Sequence, residues 1–230
     1  MGKNIAVITA GGSGKRFLLP VKKQFVELAG RPILFWTIDK FLQFGEIDEI
    51  IITLPTDDFP NYQTAIQKEF PQKNIFCVIG GTERQQSVYN ALSICPSDTE
   101  YVFIHDGVRP FITLAEIVAL LEIARQSGAV VPACQVKDTI KEISEQKIKK
   151  TLTRRQLIAV QTPQVFRYEL IMECHRKALV ENLICTDDAA LLEHYGYSVQ
   201  WLECSPLNIK ITEPFDLHIA ELIMKKQTEK

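Results

Sequence analysis

No run of apolar residues in this 230-residue chain approaches the length that crosses a bilayer. Nor does Met1-Gly2-Lys3-Asn4 carry the long apolar region and small-residue cleavage site of a signal peptide; it leads straight into a strand pattern. A cytoplasmic protein without membrane contact is the expectation. The six cysteines, at 77, 95, 134, 174, 185 and 204, include no C-x-x-C spacing. That argues against a zinc site or disulfide framework and for reduced, mostly buried thiols. Cys174, His175 and Cys185 make no natural ligand set, because adjacent residues on a helix point in different directions. Excess charge is missing too. With a net charge of −2 there is no general attraction to nucleic acid or to an anionic membrane, so a polyanionic ligand should be small and met by a local site. There is no internal repeat and no low-complexity linker, so residues 1–230 read as one domain.

What is present begins with a glycine loop. Ala6-Val7-Ile8-Thr9-Ala10-Gly11-Gly12-Ser13-Gly14-Lys15-Arg16-Phe17, continued to Lys22-Lys23-Gln24, reads as a buried strand, a glycine turn and a cluster of four cations. Glycines at 11, 12 and 14 let backbone N–H groups approach phosphate oxygens closely. The loop is not a P-loop, since Thr9 and Arg16 stand where glycine and Ser/Thr are required, and Phe17 replaces the third glycine of the dinucleotide fingerprint.

The remaining pattern alternates strands with helices. Strands at 4–10, 49–54, 74–79, 101–104 and 128–133 are separated by helical patterns near 32–42, 57–70, 83–93 and 113–127. That rhythm predicts an α/β fold: a mostly parallel, twisted sheet with helices on both faces. From Gln135 to Arg155 the pattern becomes a polar hairpin centred on Ser144-Glu145-Gln146-Lys147, a protruding β-arm at about 135–156. A hairpin of that kind is marginal alone and is expected to pack on something else, a second subunit being the reasonable choice. The core resumes with a strand over 159–166, a helix near 167–180, a helix after Cys185 with Thr186 as N-cap, a strand over 197–202, the stretch Asn208-Ile209-Lys210-Ile211 and a terminal helix over 213–226.

The loop resembles the G-x-G-x-R signature of nucleotidyltransferases that activate sugars or polyols. Gly80-Gly81-Thr82-Glu83-Arg84-Gln85-Gln86-Ser87-Val88, His105-Asp106-Gly107-Val108-Arg109-Pro110, Thr162-Pro163-Gln164, Thr186-Asp187-Asp188 and Asn208-Ile209-Lys210 follow it in order. In that order and spacing the whole chain resembles the 2-C-methyl-D-erythritol 4-phosphate cytidylyltransferase family. The resemblance implies a Rossmann-like nucleotidyltransferase in which a phosphate oxygen of the acceptor attacks the α-phosphorus of CTP and pyrophosphate leaves, with Mg²⁺. Such a reaction is carried by positioning and cationic stabilisation and needs no covalent nucleophile.

By the same resemblance, Ala10, Gly11, Gly12, Gly14 and Arg16 hold the triphosphate, while Lys23 and Lys210 flank the α-phosphate. Asp106 lies beside the nucleotide and its Mg²⁺; its other possible role is a turn or N-cap aspartate. Gly81, Thr82 and Ser87 match the positions that read cytosine, and Arg84 serves the phosphates or the loop. Arg109 either binds the acceptor or braces its loop, and His105 is structural. Thr139 and Arg154 fall on the arm positions that, in this family, reach the acceptor site of the neighbouring subunit, together with Thr186 of the home subunit. A homodimer with shared sites is implied, acting on small molecules and not on nucleic acid.

Two positions depart from the family pattern. Lys22 replaces a proline, for which Pro20 partly substitutes, and Leu207 stands where an aspartate commonly precedes Asn-Ile-Lys. The alternatives are a ribitol 5-phosphate cytidylyltransferase, built alike around the nucleotide, and a catalytically silent nucleotide-binding regulatory subunit, against which intact Arg16, Lys23, Asp106 and Lys210 argue.

Overall fold

The computed structural model describes residues 2–12, 23–57 and 59–228, with Lys23, Gln227 and Thr228 described by their backbones alone. Strand β1 (Lys3–Thr9) is followed by a short antiparallel pair, β2 (Glu27–Leu28) and β3 (Arg31–Pro32). Then come α1 (Ile33–Leu42), β4 (Glu49–Leu54), α2 (Phe59–Glu69), β5 (Ile75–Ile79), α3 (Arg84–Leu92) and β6 (Thr99–Asp106). Helix α4 (Leu114–Ser127) carries a capping box between Thr113 and Glu116 and ends on Gly128 at φ +82°, which turns the chain into β7 (Ala129–Gln135).

The arm is a separate two-stranded hairpin, β8 (Lys141–Ser144) and β9 (Lys147–Thr151), with Ile143 opposite Ile148. The core returns with β10 (Ile158–Val160), β11 (Gln164–Arg167), α5 (Tyr168–Glu181), α6 (Asp188–His194), β12 (Gln200–Glu203) and α7 (Pro214–Thr228).

The main sheet has the order β10-β7-β11-β6-β1-β4-β5, with β12 also on β7. Strands β6, β1, β4 and β5 are mutually parallel, and β12 is parallel to β7. Strands β10 and β11 run antiparallel to β7, and β11 antiparallel to β6, so the sheet is mostly parallel as expected. Alternation along the strands divides the core between two faces. Ala6, Ile8 and Phe103 pack with α1 and α4, whereas Ile5, Val7 and Ile104 pack with α3, α5 and α6. No described helix is long and apolar enough to cross a membrane.

Three local expectations are corrected. The run 159–166 is not one strand: it breaks between β10 and β11 at Pro163, which has no N–H to give the ladder, and Thr162 turns toward the site instead. Thr186 is not the N-cap of α6. Asp187 is, because its carboxylate accepts the Ala190 N–H at 3.0 Å. The strand expected from Tyr197 starts only at Gln200, since Gly196 at φ +79° ends α6 and the Tyr197 N–H is spent on the Leu192 carbonyl.

Candidate active site

The carboxyl ends of the parallel strands open into a cleft of about 600 Å³. Its floor is the end of β1, running out through Ala10, Gly11 and Gly12, and one wall is the turn Gly80–Glu83 that starts α3. The two glycine segments approach closely: a Cβ on Gly80 would lie 3.3 Å from the Gly11 Cα and 3.0 Å from the Ser87 Oγ. Ser87 is buried with both capacities of its hydroxyl used on that turn, accepting the Gly81 N–H at 2.9 Å and donating to the Glu83 carbonyl at 3.1 Å. Thr82 is likewise tied to the Gln86 amide oxygen, through its N–H at 3.0 Å and its hydroxyl at 3.1 Å. Gln24, buried beside Lys23, donates its amide to the Ala10 carbonyl and, at 3.4 Å, to that of Gly12.

Asp106, the last residue of β6, is the electrostatic centre. Lys210 Nζ lies 2.8 Å from its Oδ2, Arg84 Nε 3.2 Å from its Oδ1 and Arg109 Nε 3.5 Å from its Oδ2. Burial alone would raise the pKa of this carboxyl, but Arg84, Lys210 and Arg109 outweigh it and hold the group ionised, far below the usual carboxylate range. Arg84 also reaches Asp188, Nη1 to Oδ2 at 2.6 Å. Arg84, Arg109 and Lys210 thus gather three cations around the two buried carboxylates Asp106 and Asp188. The Arg84 Nη2 is buried without a partner among the described residues.

A polar ring holds the loops that carry these charges. The Asp106 N–H donates to the Thr162 Oγ1 at 3.0 Å, the Thr162 carbonyl accepts from the Asn208 Nδ2 at 2.9 Å, and the Asn208 carbonyl accepts from the Arg109 Nη1 at 2.8 Å. His105 closes the inside of the ring. Its Nε2 lies 3.0 Å from the Arg109 carbonyl, which can only accept, so that nitrogen carries the proton. Its Nδ1 lies 3.1 Å from the Thr162 hydroxyl. Burial pushes the imidazole pKa down to about 4, which keeps it neutral and suits this role.

The cleft thus brings together Ala10, Gly11, Gly12, Gly81, Thr82, Arg84, Ser87, Asp106 and Lys210. Gly14, Lys15, Arg16, Pro20 and Lys22 lie outside the described residues. Lys23 opens a single 3-10 turn, Lys23–Phe25. Arg109 braces the loop between Asp106 and Asn208 and does not line the cleft. Thr139, Arg154 and Thr186 are exposed and outside it, with Arg154 Nη1 bonded to the Lys137 carbonyl at 2.8 Å. Leu207 is exposed, and the Lys210 ammonium takes its partner from Asp106.

Sequence reasoning did not single out Gln24, Thr162, Asn208 and Asp188 as individual positions. Each sits inside a motif that it did quote, and each was invisible because it acts on a neighbour in space.

The family model of 2-C-methyl-D-erythritol 4-phosphate cytidylyltransferase matches residues 4–226. A relative of that name from Clostridium novyi is 42% identical over 227 residues, covering 98% of this chain and 98% of its own. Among solved structures, the 4-diphosphocytidyl-2C-methyl-D-erythritol synthase of Anaerococcus prevotii superposes with a TM-score of 0.87 at 32% identity, over 97% of this chain and 96% of that one. The 2-C-methyl-D-erythritol 4-phosphate cytidylyltransferase of Thermus thermophilus gives a TM-score of 0.79 at 29% identity, over 98% of this chain and 100% of that one.

Proposed function

The chain belongs to the 2-C-methyl-D-erythritol 4-phosphate cytidylyltransferase family, and from that membership we propose that it transfers the cytidylyl group of CTP to 2-C-methyl-D-erythritol 4-phosphate, releasing pyrophosphate. The observation that carries this reading to the residues is Asp106, buried at the mouth of a glycine-lined cleft and joined to Lys210 at 2.8 Å and Arg84 at 3.2 Å. A phosphate oxygen of the acceptor forms the new bond to the α-phosphorus, and the bond to the bridging oxygen of pyrophosphate breaks. Phosphate is already a sufficient nucleophile, so no general base is required. What the chain supplies is approach and charge: N–H groups of the loop for the β- and γ-phosphates with Gly14 and Arg16, and Lys23 and Lys210 at the α-phosphate.

The donor chemistry fits Mg²⁺. Asp106 is a hard oxygen donor held ionised at the cleft, whose oxygens face Arg84, Arg109 and Lys210, so Mg²⁺ would share the carboxylate with those cations. Asp106 together with triphosphate oxygens and water would hold the ion, as Mg²⁺ sites on nucleotides are built. When bound, Mg²⁺ neutralises phosphate charge.

Thr139, Arg154 and Thr186 are assigned to the acceptor, while Arg109 serves it by bracing the Asp106 loop. Thr139 and Arg154 belong to the arm, at about 135–156 of a single nucleotidyltransferase domain, and serve the cleft of a second subunit in a homodimer. The exposed Ile143 and Ile148 on that arm support a contact there. Free cysteines throughout the described chain suit a cytoplasmic location.

The test offers purified protein CTP and Mg²⁺ with methylerythritol phosphate or ribitol 5-phosphate and follows pyrophosphate. Release with the first acceptor is expected. Release with ribitol phosphate alone would move the chain to the rival polyol, and none with either would leave a silent nucleotide-binding subunit.

A further inference from the structure

Behind Arg84 lies a second carboxylate that the proposed reaction does not use. Asp188, the first residue of α6, is 1% exposed and does not line the cleft. Its Oδ2 takes the Arg84 Nη1 at 2.6 Å and its Oδ1 meets the Nε2 of His175 at 3.2 Å. His175 is itself 2% exposed in the middle of α5, with the Tyr89 ring stacked beside it.

Asp188 is not needed to start its helix. Asp187 caps α6, and the helix start is fixed to β11 by Gln164, whose amide donates to Asp187 Oδ2 at 2.7 Å and accepts the Ala189 N–H at 3.1 Å. A buried ion pair is also weak evidence of stabilisation, since apolar side chains of the same volume often do as well. What distinguishes this pair is the other edge of the same guanidinium, which faces Asp106.

A planar guanidinium binds carboxylates through a fixed fork, so the partner that occupies one edge sets where the other donors point. With Asp188 on Nη1, Arg84 offers Nε to Asp106 Oδ1, and Oδ2 is left to Lys210 and Arg109. Asp188 holds the guanidinium by Nη1 while Nη2, beside Nε, has no partner among the described residues. Without that anchor Arg84 would be free to swing until Nε and Nη2 fork onto both Asp106 oxygens and take Oδ2 from Lys210. We propose that Asp188, oriented by His175, is a positioning residue that fixes Arg84 and thereby shares out the Asp106 carboxylate between Arg84 and Lys210. Neither residue touches substrate. The inference rests on the cytidylyltransferase reading, because it assigns a task to Asp106 and Lys210 in that reaction.

The test is a double-mutant cycle between Asp188→Asn and Arg84→Ala, read as kcat and KM for CTP per folded molecule and as CTP affinity by calorimetry. Asp188→Asn alone should lower kcat by about tenfold or more, in the range seen when partners behind a functional group are removed. In the Arg84→Ala background it should change kcat or CTP affinity by less than about twofold, and Asp188→Glu should recover most of the loss.

Losses that multiply in the double variant, or unchanged kcat, KM and affinity per folded molecule in Asp188→Asn, would overturn the proposal. If Asp188→Asn does not fold, His175→Leu replaces it in the cycle. A fall in kcat that His175→Gln restores and that vanishes without Arg84 is expected, and no fall overturns it. Pyrophosphate release by the wild-type protein separates the two readings. Its absence removes the reaction, and calorimetry then decides the positioning role alone.

Discussion

His105 and Asp106 are adjacent, both buried, and both are placed to bind fewer protons in the folded chain than in the unfolded one. The imidazole is pushed down to about 4 by burial, against about 6.5 in an unfolded chain. Between those values the unfolded chain binds a proton that the native one does not. Stability therefore falls as pH drops from about 6.5 to about 4, by on the order of 3 kcal/mol. Asp106, held down by its three cations against the effect of burial, adds to the loss only below about 4, where the unfolded carboxyl takes up its proton. Urea unfolding at stepped pH checks this: the slope between 6.5 and 4 should flatten in His105→Gln, and an equal slope in both proteins would contradict the assignment. On the catalytic side, Lys210→Ala removes a cation from the α-phosphate and should lower kcat about 10²-fold or more with folding intact. A loss confined to KM would show that Lys210 only binds. Asp106 and Lys210 were legible in the sequence because each sits in a distinctive motif at the end of a strand or loop. Asp188 entered only as a member of the Thr186-Asp187-Asp188 motif, which is all that local sequence shows of it. Its partner Arg84 is 104 positions away, and only the fold joins them.

At the level of elements, the alternation of strands and helices was readable because both faces of β1, β4 and β6 are buried, which produces apolar runs of a length no loop has. The break at Pro163 was signalled by the proline itself, which cannot give an N–H to the ladder, but the apolar residues on either side masked it; what the local sequence does not show is that the interruption leaves the Thr162 hydroxyl to Asp106 and His105. The turn Gly80–Glu83 shows the same limit. Ser87 matched a cytosine-reading position, yet in the structure its hydroxyl is committed to Gly81 and Glu83, so it shapes the turn that would meet the base. The close approach of Gly80 to Gly11 gives a direct check. Adding a methyl group at Gly80 places a Cβ 3.0 Å from the Ser87 Oγ and 3.3 Å from the Gly11 Cα, forcing the turn and the loop apart by a few tenths of an ångström. Gly80→Ala should raise the KM for CTP roughly tenfold while leaving thermal stability nearly unchanged. The control is Gly128→Ala, far from the cleft at φ +82°, which should cost about 1 kcal/mol of stability without changing KM.

For the whole molecule, the arm poses the remaining physical question. A two-stranded hairpin that pairs with no other strand among the described residues, and that exposes Ile143 at 68% and Ile148 at 66%, has little reason to persist alone in water. Its charges are partly satisfied locally, with Glu142 bridging Lys149 at 2.6 Å and Lys150 at 3.0 Å, but its apolar pair is not covered. Thr139 and Arg154, at the base of the same arm, are equally without a role inside the home cleft. If the arm of each subunit completes the acceptor site of the other, two individually inactive proteins can make an active pair. Lys210→Ala damages the cleft and Arg154→Ala damages the arm, so a hybrid dimer contains one cleft with an intact Lys210 that is served by an intact Arg154. Mixing the two variants after dissociation and reassociation should return up to about a quarter of wild-type activity, because half of the dimers are hybrids and one of their two sites is whole. The same variants mixed without subunit exchange should stay inactive. Ile143→Asp combined with Ile148→Asp should shift the protein toward monomer in sedimentation and lower activity in parallel. Exchange that returns no activity would leave Arg154 without a part in the neighbouring site, and a double aspartate variant that stays dimeric would place the subunit contact elsewhere.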